Sequence, residues 1–368
     1  CLLNTHYQFQ DNTKAMFLKR VCRNYSTGKS LTVLRLGPTR FAQQAWSNLV
    51  SKNNVKVVET DAANREQFIS ELKSGKFADV DFITRTFESF KQTGMMDKQL
   101  LKLIKEHTKV KAMSHNGAGY DQVDAIECGN LKIQLSNVPS LVDDATADTA
   151  VYLLLGAMRN FQLSSENMKK GQWKTQKCAG TPIGHDPEGK VLGILGMGGI
   201  GRTIRDRLVP FGFSKILYHN RHQLPKELEK GAIYCKTPEE LFKESDVISI
   251  SIPLNKNTKH IINEKSIGIM KDGVVIVNTA RGPVIEESAL KTALKSGKVA
   301  AFGADVWVNE PNVDPELISL SNVACLPHMG THTVETMKAM EEFVVENVQT
   351  YIDTNKVLTM VPELKGKF

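Results

Sequence analysis

The chain has 368 residues, of which 41% are hydrophobic and 24% are charged, with 26 glycines and 13 prolines. This ordinary globular composition excludes a collagen, a wholly disordered chain and a disulfide-stapled miniprotein, and the length predicts two domains or three. The formal net charge is +7, but residues 1–30 alone carry five Lys or Arg against one Asp. The rest of the chain is therefore nearly balanced, which disfavours nucleic-acid binding.

The six cysteines form no C-x-x-C pair and no zinc-ligand spacing, so we expect reduced thiols and no metal site. No apolar run approaches the ~20 residues that a membrane-spanning helix needs. We therefore expect a protein that neither crosses a membrane nor depends on a metal.

The first part of the chain suits a targeting segment better than a folded element. Residues 16–29 contain bulky apolar side chains, several cations, Ser and Thr, and no acid. That composition is typical of a mitochondrial transit peptide, and a plain disordered tail is the alternative. We assign residues 1–30 to a disordered tail or transit segment, and expect the folded protein in the mitochondrial matrix or the cytoplasm.

Short apolar runs alternate with helical patterns along residues 31–135. Such alternation predicts parallel α/β structure, because a crossover helix usually joins neighbouring parallel strands. The predicted strands are 31–36, 55–59, 80–84, 110–114 and the apolar run 131–135, and the predicted helices are 65–74 and 97–107.

A long helical pattern at 142–161, opened by Asp143 and Asp144, separates this series from a second one. Acidic side chains suit the first turn of a helix because they face its free N–H groups. The loop 180–189 is rich in Gly, Pro and Asp, which predicts a hinge or crossover. The second series comprises strands at 191–195, 216–219, 233–235, 247–252, 274–278, 299–304 and 323–325, and helices at 200–211 and 334–351.

The motif Gly-Met-Gly-Gly-Ile-Gly at 196–201 fits the pattern G-x-G-x-x-G and lies between a predicted strand and a predicted helix. Gly196 permits a tight turn, Gly198 lets the backbone approach a pyrophosphate, and Gly201 lets the helix pack close to the strand. The free N–H groups at the helix N-terminus favour an anion there, whereas the alternative is a turn without a ligand. The predicted cofactor-binding residues of this loop are Gly196, Gly198, Gly199, Ile200 and Gly201.

The end of the next strand predicts which dinucleotide is used. An acid about 20 residues beyond the motif would hold the ribose 2′-hydroxyl of NAD. Here Asn220 and Arg221 stand in place of a carboxylate. A guanidinium can hold a 2′-phosphate through two hydrogen bonds, whereas a carboxylate would repel it. The sequence favours NADP(H), and NAD(H) stays open if Arg221 is only a surface charge.

Three candidate catalytic residues, Arg281, Glu310 and His328, follow three successive predicted strands. Because the carboxyl ends of parallel strands share one edge of a sheet, these residues should converge beside the glycine motif. A His can protonate a ketone oxygen near neutral pH, a neighbouring carboxylate stabilises the imidazolium, and an Arg can bind a substrate carboxylate. The alternative is a loop histidine, a surface acid and a structural salt bridge.

These motifs, in this order, resemble those of the D-2-hydroxyacid dehydrogenase family, nearest the fungal-type glyoxylate/hydroxypyruvate reductases. The resemblance covers about residues 31–362 and lies in the segments 196–201, 278–282, 305–311 and 327–330. It implies an α/β fold of two doubly wound parallel-sheet domains, with a Rossmann cofactor domain inserted into a flavodoxin-like substrate domain. It also implies a homodimer. The implied boundaries are 31–142 and 333–368 for the substrate domain and 143–332 for the Rossmann domain.

The resemblance also implies roles for individual residues. Arg281 matches the family's arginine for the carboxylate and carbonyl of a 2-oxo acid, and Glu310 and His328 match its catalytic pair. The Asn-Gly-Ala-Gly-Tyr-Asp motif matches the substrate loop, whose N–H groups at Ala118 and Gly119 would hold the carboxylate. The implied cofactor-lining residues are Thr149, Pro253, Thr279, Ala280, Asp305 and Gly330.

The implied activity is NADPH-dependent reduction of glyoxylate or hydroxypyruvate to a D-2-hydroxy acid, with His328 as proton donor. Two alternatives stay open: an NADH-using reductase of D-mandelate type or of branched 2-oxo acids, and a non-enzymatic dinucleotide sensor similar to the C-terminal-binding corepressors. Phe87 stands near a substrate-flanking position of the family, where an aromatic ring would favour larger or apolar 2-oxo acids. Core packing is its other interpretation.

Overall fold

A computed structural model describes residues 30–368, so the predicted tail or transit segment lies, but for Ser30, outside the described residues. The described chain forms two parallel sheets, one of five strands and one of seven. None of its helices is long and apolar enough to cross a membrane. The strands are β1 (Leu31–Leu36), β2 (Val55–Glu59), β3 (Phe82–Thr86), β4 (Ala112–Asn116), β5 (Gln134–Ser136), β6 (Val191–Leu195), β7 (Lys215–His219), β8 (Ile233–Tyr234), β9 (Val247–Ile250), β10 (Val274–Asn278), β11 (Val299–Ala304) and β12 (Val323–Cys325).

The first sheet has the strand order β2-β1-β3-β4-β5, which is the doubly wound order of flavodoxin-like folds. One face packs on an apolar cluster that includes Phe68 and Leu100, and the other on a cluster that includes Trp46 and Tyr351. Burial on both faces explains why most side chains of its central strands β1, β3 and β4 are buried, including polar ones such as Thr84 and Ser114. The helices of this part are α1 (Gln43–Lys52), α2 (Arg65–Lys73), α3 (Phe90–Thr93), α4 (Lys98–His107) and α5 (Ala125–Asn130).

The second sheet has the order β12-β11-β10-β9-β6-β7-β8. Counted from β6, this is the 3-2-1-4-5-6 order of the dinucleotide-binding fold with one further strand at its end. The order reverses between β6 and β9, and ligands of such sheets bind at the carboxyl ends of the strands at that point. The predicted fold class is therefore confirmed. The helices of this part are α6 (Asp143–Arg159), α7 (Phe161–Lys169), α8 (Gly199–Leu208), α9 (Lys226–Glu229), α10 (Pro238–Glu244), α11 (Glu264–Ile269), α12 (Glu287–Ser296) and α13 (Pro315–Ile318).

The last helix, α14 (Val334–Thr354), returns to the first sheet, where Val345, Val348 and Tyr351 pack against the cluster beside β1. Its buried Glu341 carboxylate accepts the backbone N–H groups of residues 40, 41 and 42 at 2.7–3.1 Å. These bonds satisfy backbone donors in the turn that leads into α1. They also anchor α14 to the segment that follows β1.

Some predicted boundaries are displaced. β3, β4 and β5 begin two or three residues later than predicted. Val80 and Val110 are buried without being in strands, so an apolar run overstates the strand at its start. The helix predicted at 142–161 ends at Arg159, because Asn160 adopts a left-handed conformation with φ 55° and α7 begins after it.

Candidate active site

The glycine motif lies where β6 ends and α8 begins. Gly196 has φ 101°, and a Cβ there would lie 2.7 Å from the carbonyl oxygen of Ser251. A Cβ at Gly201 would lie 2.1 Å from the carbonyl oxygen of Gly196, whereas nothing lies within 4 Å of the Cβ position of Gly198. Packing therefore requires the outer two glycines, and Gly198 faces open space before the helix N-terminus. This cradle fits the pyrophosphate of a dinucleotide.

The first residue of α8, Gly199, packs against a carboxyl group. A Cβ at Gly199 would lie 2.1 Å from Oδ2 of Asp143. Burial raises the pKa of Asp143 to about 6; the charge of Asp144 raises it further, and that of Arg202 opposes the rise. The sequence predicted Asp143 in the first turn of a helix. It did not predict that the carboxyl group would lie beside the glycine loop. Ile200 packs on the apolar clusters beneath the loop.

The segment that follows β7 contacts the glycine loop directly. Oδ1 of Asn220 accepts the N–H of Met197 at 2.7 Å, so this side chain braces the loop. Arg221 is exposed, and within residues 30–368 no hydrogen bond or salt bridge engages its side chain. Its guanidinium is therefore available to an anionic ligand at this edge of the sheet.

Residues that follow the later strands gather at the same edge. Asp305 accepts the N–H groups of Met329 and Gly330, both at 2.7 Å, and burial raises its pKa. Ala280 donates its N–H to Asn278 Oδ1 at 3.0 Å within the turn after β10. Beside it, the buried hydroxyl of Thr279 has no hydrogen-bond partner among the described residues. A bound polar group would satisfy such a hydroxyl, so the site fits a dinucleotide.

Two predicted cofactor-lining residues, Thr149 and Pro253, make no side-chain hydrogen bond to the glycine loop or to the Gly330 loop in the described part of the chain. The hydroxyl of Thr149 donates to the carbonyl oxygen of Ala145 at 3.0 Å, within α6. Thr146, one turn earlier, is the α6 side chain that reaches the Gly330 loop: a Cβ at Gly330 would lie 3.6 Å from its Oγ1. Pro253 lies in the loop that follows β9.

His328 and Glu310 form a close pair. Nδ1 of His328 lies 2.6 Å from Oε2 of Glu310. Because an ionised carboxylate can only accept, Nδ1 carries the proton and Nε2 is the ring atom left for a substrate. Oε1 of Glu310 accepts the N–H of Trp307 at 2.7 Å, which fixes the carboxylate. His328 and Asn309 have positive φ angles of 54° and 59°, a conformation that is uncommon outside glycine.

Arg281 extends from the end of β10 to the substrate loop of the other sheet. Its Nε donates to Oδ1 of Asp121 at 2.8 Å, and its Nη1 donates to the carbonyl oxygen of Ala280 at 2.8 Å. A Cβ at Gly119 would lie 2.0 Å from Nη2, so the guanidinium lies directly against the loop backbone. The structure thus brings together the predicted carboxylate-binding groups, Arg281 and the Ala118–Gly119 segment.

A buried polar network lies behind the substrate loop. Arg85 donates from Nε to Ser89 Oγ at 3.2 Å and from Nη2 to Gln122 Oε1 at 2.7 Å. Its Nη1 lies 3.3 Å from Nδ1 of His115, and Nε2 of His115 lies 2.8 Å from the carbonyl oxygen of Gly119. Because arginine only donates, Nδ1 accepts and Nε2 carries the proton, which describes a neutral imidazole.

The electrostatics of this network agree with that assignment. Burial, with the charge of Arg85 next, holds the pKa of His115 well below its usual range. Burial also lowers the pKa of Arg85 to about 10, against the opposing charge of Asp121. Neither Arg85 nor His115 was among the predicted site residues. The available signal was their position directly after the predicted strands 80–84 and 110–114, since polar side chains at the carboxyl ends of parallel strands share one edge of the sheet.

A cavity of about 570 Å³ lies between the two sheets beside His328. The ring of Phe87 is 44% exposed and its centroid lies 5.1 Å from that of the His328 imidazole. The interpretation of Phe87 as a core residue is therefore wrong, and its ring forms part of the cavity wall. The apolar lining further includes Trp307, Val313, Ile318, Leu326, Met337 and Met340, and the polar lining includes Arg40, Glu88, Asn116, His332 and Glu341.

The chain is similar to proteins of one family along nearly its whole length. Residues 151–330 match the family described as "D-isomer specific 2-hydroxyacid dehydrogenase, NAD binding domain". The chain is 50% identical to glyoxylate reductase 1 of Saccharomyces cerevisiae over 92% of its own length and 97% of that protein. The chain belongs to the D-2-hydroxyacid dehydrogenase family. It is thus an NAD(P)-dependent enzyme, not a non-enzymatic sensor.

Two further comparisons show similarity of this D-2-hydroxyacid dehydrogenase to fungal proteins. It is 44% identical to 4-methyl-2-oxopentanoate reductase A of Aspergillus oryzae, over 92% of the chain and 99% of that protein. A crystal structure of a glyoxylate reductase from Paecilomyes thermophila superposes with a TM-score of 0.86 at 45% identity, covering 91% of this chain and 99% of that one. Both sheets of the D-2-hydroxyacid dehydrogenase are included in this match.

Proposed function

We propose that the enzyme reduces small 2-oxo acids, glyoxylate and hydroxypyruvate, to D-2-hydroxy acids and prefers NADPH. The observation that carries this proposal is the 2.6 Å contact between His328 and Glu310, which lies beside an interdomain cavity. The pair lies past the carboxyl ends of β11 and β12, and Arg281 reaches the substrate loop from the neighbouring β10. The names of the yeast and Paecilomyes relatives support glyoxylate as a substrate.

The residues of this chain have separable roles in that reaction. A reduced nicotinamide, when bound, supplies the hydride that a carbonyl carbon accepts. Arg281, with the N–H groups of Ala118 and Gly119, binds the carboxylate of the 2-oxo acid and so orients its carbonyl. His328 donates the proton at Nε2 to the carbonyl oxygen. Glu310 stabilises the imidazolium before that transfer and holds the ring in place after it.

The proposed dinucleotide site extends along the edge of the seven-stranded sheet. The glycine loop would hold the pyrophosphate, and the orphaned Thr279 hydroxyl and the Asp305 carboxylate would meet polar groups farther along. The residues proposed to bind the cofactor are Thr149, Gly196, Gly198, Gly199, Ile200, Gly201, Asn220, Arg221, Pro253, Thr279, Ala280, Asp305 and Gly330.

The preference for NADPH rests on Arg221, which is exposed beside the loop that Asn220 braces. No carboxylate stands at this strand end to repel a 2′-phosphate. The test is the ratio of kcat/KM with NADPH to that with NADH, for the wild type and Arg221→Ala. We expect a wild-type ratio above one that falls at least about tenfold in the variant, since one charge-assisted bidentate contact is lost. A higher efficiency with NADH would contradict the preference.

A second candidate substrate class is favoured by the cavity. Glyoxylate carries only hydrogen beyond its carbonyl, whereas a cavity of about 570 Å³ with apolar walls accommodates a branched or aromatic side chain. The name of the Aspergillus relative, 4-methyl-2-oxopentanoate reductase A, supports this candidate. Phe87 and Trp307 would contact the side chain of such a substrate.

The experiment that tests the proposed function compares glyoxylate, hydroxypyruvate, phenylglyoxylate and 4-methyl-2-oxopentanoate by initial rates of NADPH and NADH oxidation. Highest kcat/KM with the two small acids supports the first candidate. Highest kcat/KM with the two bulky acids supports the second. Binding of the dinucleotide without turnover of any 2-oxo acid would contradict both.

We further propose a homodimer with a surface centred on α7 and the segment after it. Phe161, Met168, Trp173 and Ile183 are exposed along this one stretch of the chain, with Ile183 at 97%, and exposed apolar residues that form a patch are typical of protein contacts. Light scattering should give twice the chain mass, and Trp173→Glu should lower the measured mass.

The placement in the mitochondrial matrix or the cytoplasm likewise stays a proposal, to be tested by fluorescence microscopy of the full chain.

A further inference from the structure

An ion pair stands at the rim of the cavity beside His328. Nη1 and Nη2 of Arg40 donate to Oε1 and Oε2 of Glu88 at 2.5 and 2.9 Å. Both side chains are 46% exposed and both line the cavity. The main chain of Arg40 is held separately, because its N–H donates to both carboxylate oxygens of Glu341 at 3.0 and 3.1 Å. The guanidinium is thus anchored near the cavity with both terminal nitrogens engaged by one carboxylate.

The charge of this pair matters because, apart from His328 and His332, the described lining of the cavity offers few groups that could bind an anion. Within residues 30–368, Arg40 is the only arginine or lysine that lines the cavity. Glu341 is already satisfied by three backbone N–H groups. Phe87, Trp307 and Ile318 present apolar surface to the same cavity.

We infer that Glu88 determines substrate specificity: it neutralises Arg40, so that the cavity accepts the uncharged side chain of a 2-oxo monoacid and rejects 2-oxo diacids. This inference rests on the proposed reduction of 2-oxo acids, since it concerns the side-chain end of the same substrate. A free guanidinium would bind a second carboxylate through two hydrogen bonds. Glu88 already occupies both nitrogens, and its own charge repels the incoming carboxylate. Specificity thus comes from a repulsive group as well as from apolar fit.

The pair of probes that isolates this effect is 2-oxopentanoate and 2-oxoglutarate, which share a five-carbon chain and differ by the second carboxylate. The measured quantity is the ratio of kcat/KM for the diacid to that for the monoacid, at saturating NADPH. In the wild type we expect a ratio below about 0.01, since the charge of Glu88 repels the second carboxylate and no free cation pairs with it. In Glu88→Gln we expect the ratio to rise at least about tenfold, because Arg40 is freed.

Two further variants show whether Arg40 is responsible. In the double variant Arg40→Gln/Glu88→Gln the gain should disappear, because no guanidinium remains to hold the second carboxylate. Glu59→Gln is the matched control: Glu59 forms an exposed ion pair with Arg35 and does not line the cavity, so its ratio should equal that of the wild type. Thermal unfolding of each variant establishes that the compared proteins are folded.

The outcomes separate this inference from the proposed function. A ratio near one in the wild type, an unchanged ratio in Glu88→Gln, or a gain that persists in the double variant would each overturn the role of Glu88. If any of these occurs while glyoxylate is still reduced, the proposed function stands alone. If the wild type reduces no 2-oxo acid, both proposals are overturned.

Discussion

Arg281 and Asp121 meet across the cleft, with Nε of the arginine 2.8 Å from Oδ1 of the aspartate. The arginine follows β10 of the seven-stranded sheet, and the aspartate belongs to the loop that follows β4 of the five-stranded sheet. The orientation of the proposed carboxylate-binding group therefore depends on both domains. It leaves Nη2 beside Gly119, where the backbone of the substrate loop lies closest to the guanidinium.

The first prediction concerns this bridge. Asp121→Asn keeps an oxygen acceptor but loses the charge that strengthens the bond, so Arg281 is held less firmly. We expect KM for glyoxylate to rise about tenfold, equivalent to ~1.4 kcal/mol, the low end of the value of a hydrogen bond to a charged group. Initial rates at saturating NADPH measure it. The control is Asp79→Asn, which breaks an exposed ion pair with Lys109 and should leave KM unchanged. An equal KM in Asp121→Asn and wild type would contradict the role of Asp121.

The second prediction concerns Glu310, whose Oε2 holds Nδ1 of His328. Glu310→Gln removes the negative charge that stabilises the imidazolium but keeps a similar shape. We expect kcat to fall roughly 10- to 100-fold, the usual cost of losing such a supporting carboxylate. Glu335→Gln, on the exposed first turn of α14, should leave kcat unchanged. A Glu310→Gln enzyme with wild-type kcat would show that the carboxylate has no part in proton donation.

The third prediction concerns the network behind the substrate loop. His115→Ala leaves Nη1 of Arg85 and the carbonyl oxygen of Gly119 without their partner, so the free energy of unfolding should fall by about 2–3 kcal/mol. KM for glyoxylate should rise as the loop loosens. His115→Gln places an amide near the same position and should restore part of both losses. Denaturant unfolding and initial rates measure the two effects, and no KM change in the folded His115→Ala enzyme would contradict a positioning role.

The fourth prediction concerns Asp143. Burial of its carboxyl group raises its pKa from 3.8 to about 6. Between these values the folded protein binds more protons than the unfolded chain, so stability falls as the pH rises through that window. Above about pH 6 the full cost of the buried charge is present. Asp143→Asn removes that cost and should stabilise the fold by about 1 kcal/mol at pH 7, after allowing for solvent screening, and by much less at pH 4.

The matched control for this prediction is Asp148→Asn. Asp148 lies one turn farther along α6 and is exposed, and it forms a salt bridge with Arg207. It should show no stabilisation at pH 7. Denaturant unfolding of both variants at the two pH values is the measurement. An equal stability of wild type and Asp143→Asn at pH 7 would contradict the assigned cost of burial.

The order of strands and helices could be predicted from the sequence, because apolar runs mark the strands and Gly or Pro residues mark the turns between elements. The β6 strand, the glycine motif and the start of α8 lie where predicted, since an apolar run followed by glycines has few other structures. The helix α1 was missed because only Trp46 and Leu49 of its ten residues are buried. Two buried positions three residues apart are too weak a pattern to distinguish a helix from a loop.

The sequence predicted which residues lie at the strand ends that form the candidate site. It did not predict the contacts between the side chains behind them. Successive strand ends predicted that Glu310 and His328 would converge, since parallel strands share an edge. The network of Arg85 and His115 depends on pairing between β3 and β4, two elements that a linear pattern does not align. The contact between Thr146 and the Gly330 loop likewise depends on how α6 rotates over the sheet, which periodicity fixes only to within a turn.

The central claim is that His328 donates the proton to the substrate carbonyl. The most direct test is the initial rate of NADPH oxidation with glyoxylate for the wild type and His328→Gln, with dinucleotide affinity measured by fluorescence titration as the check on folding. We expect kcat to fall by about a thousandfold, within the range for loss of a general acid, while NADPH affinity stays within about twofold. Near-wild-type turnover by His328→Gln would contradict the claim.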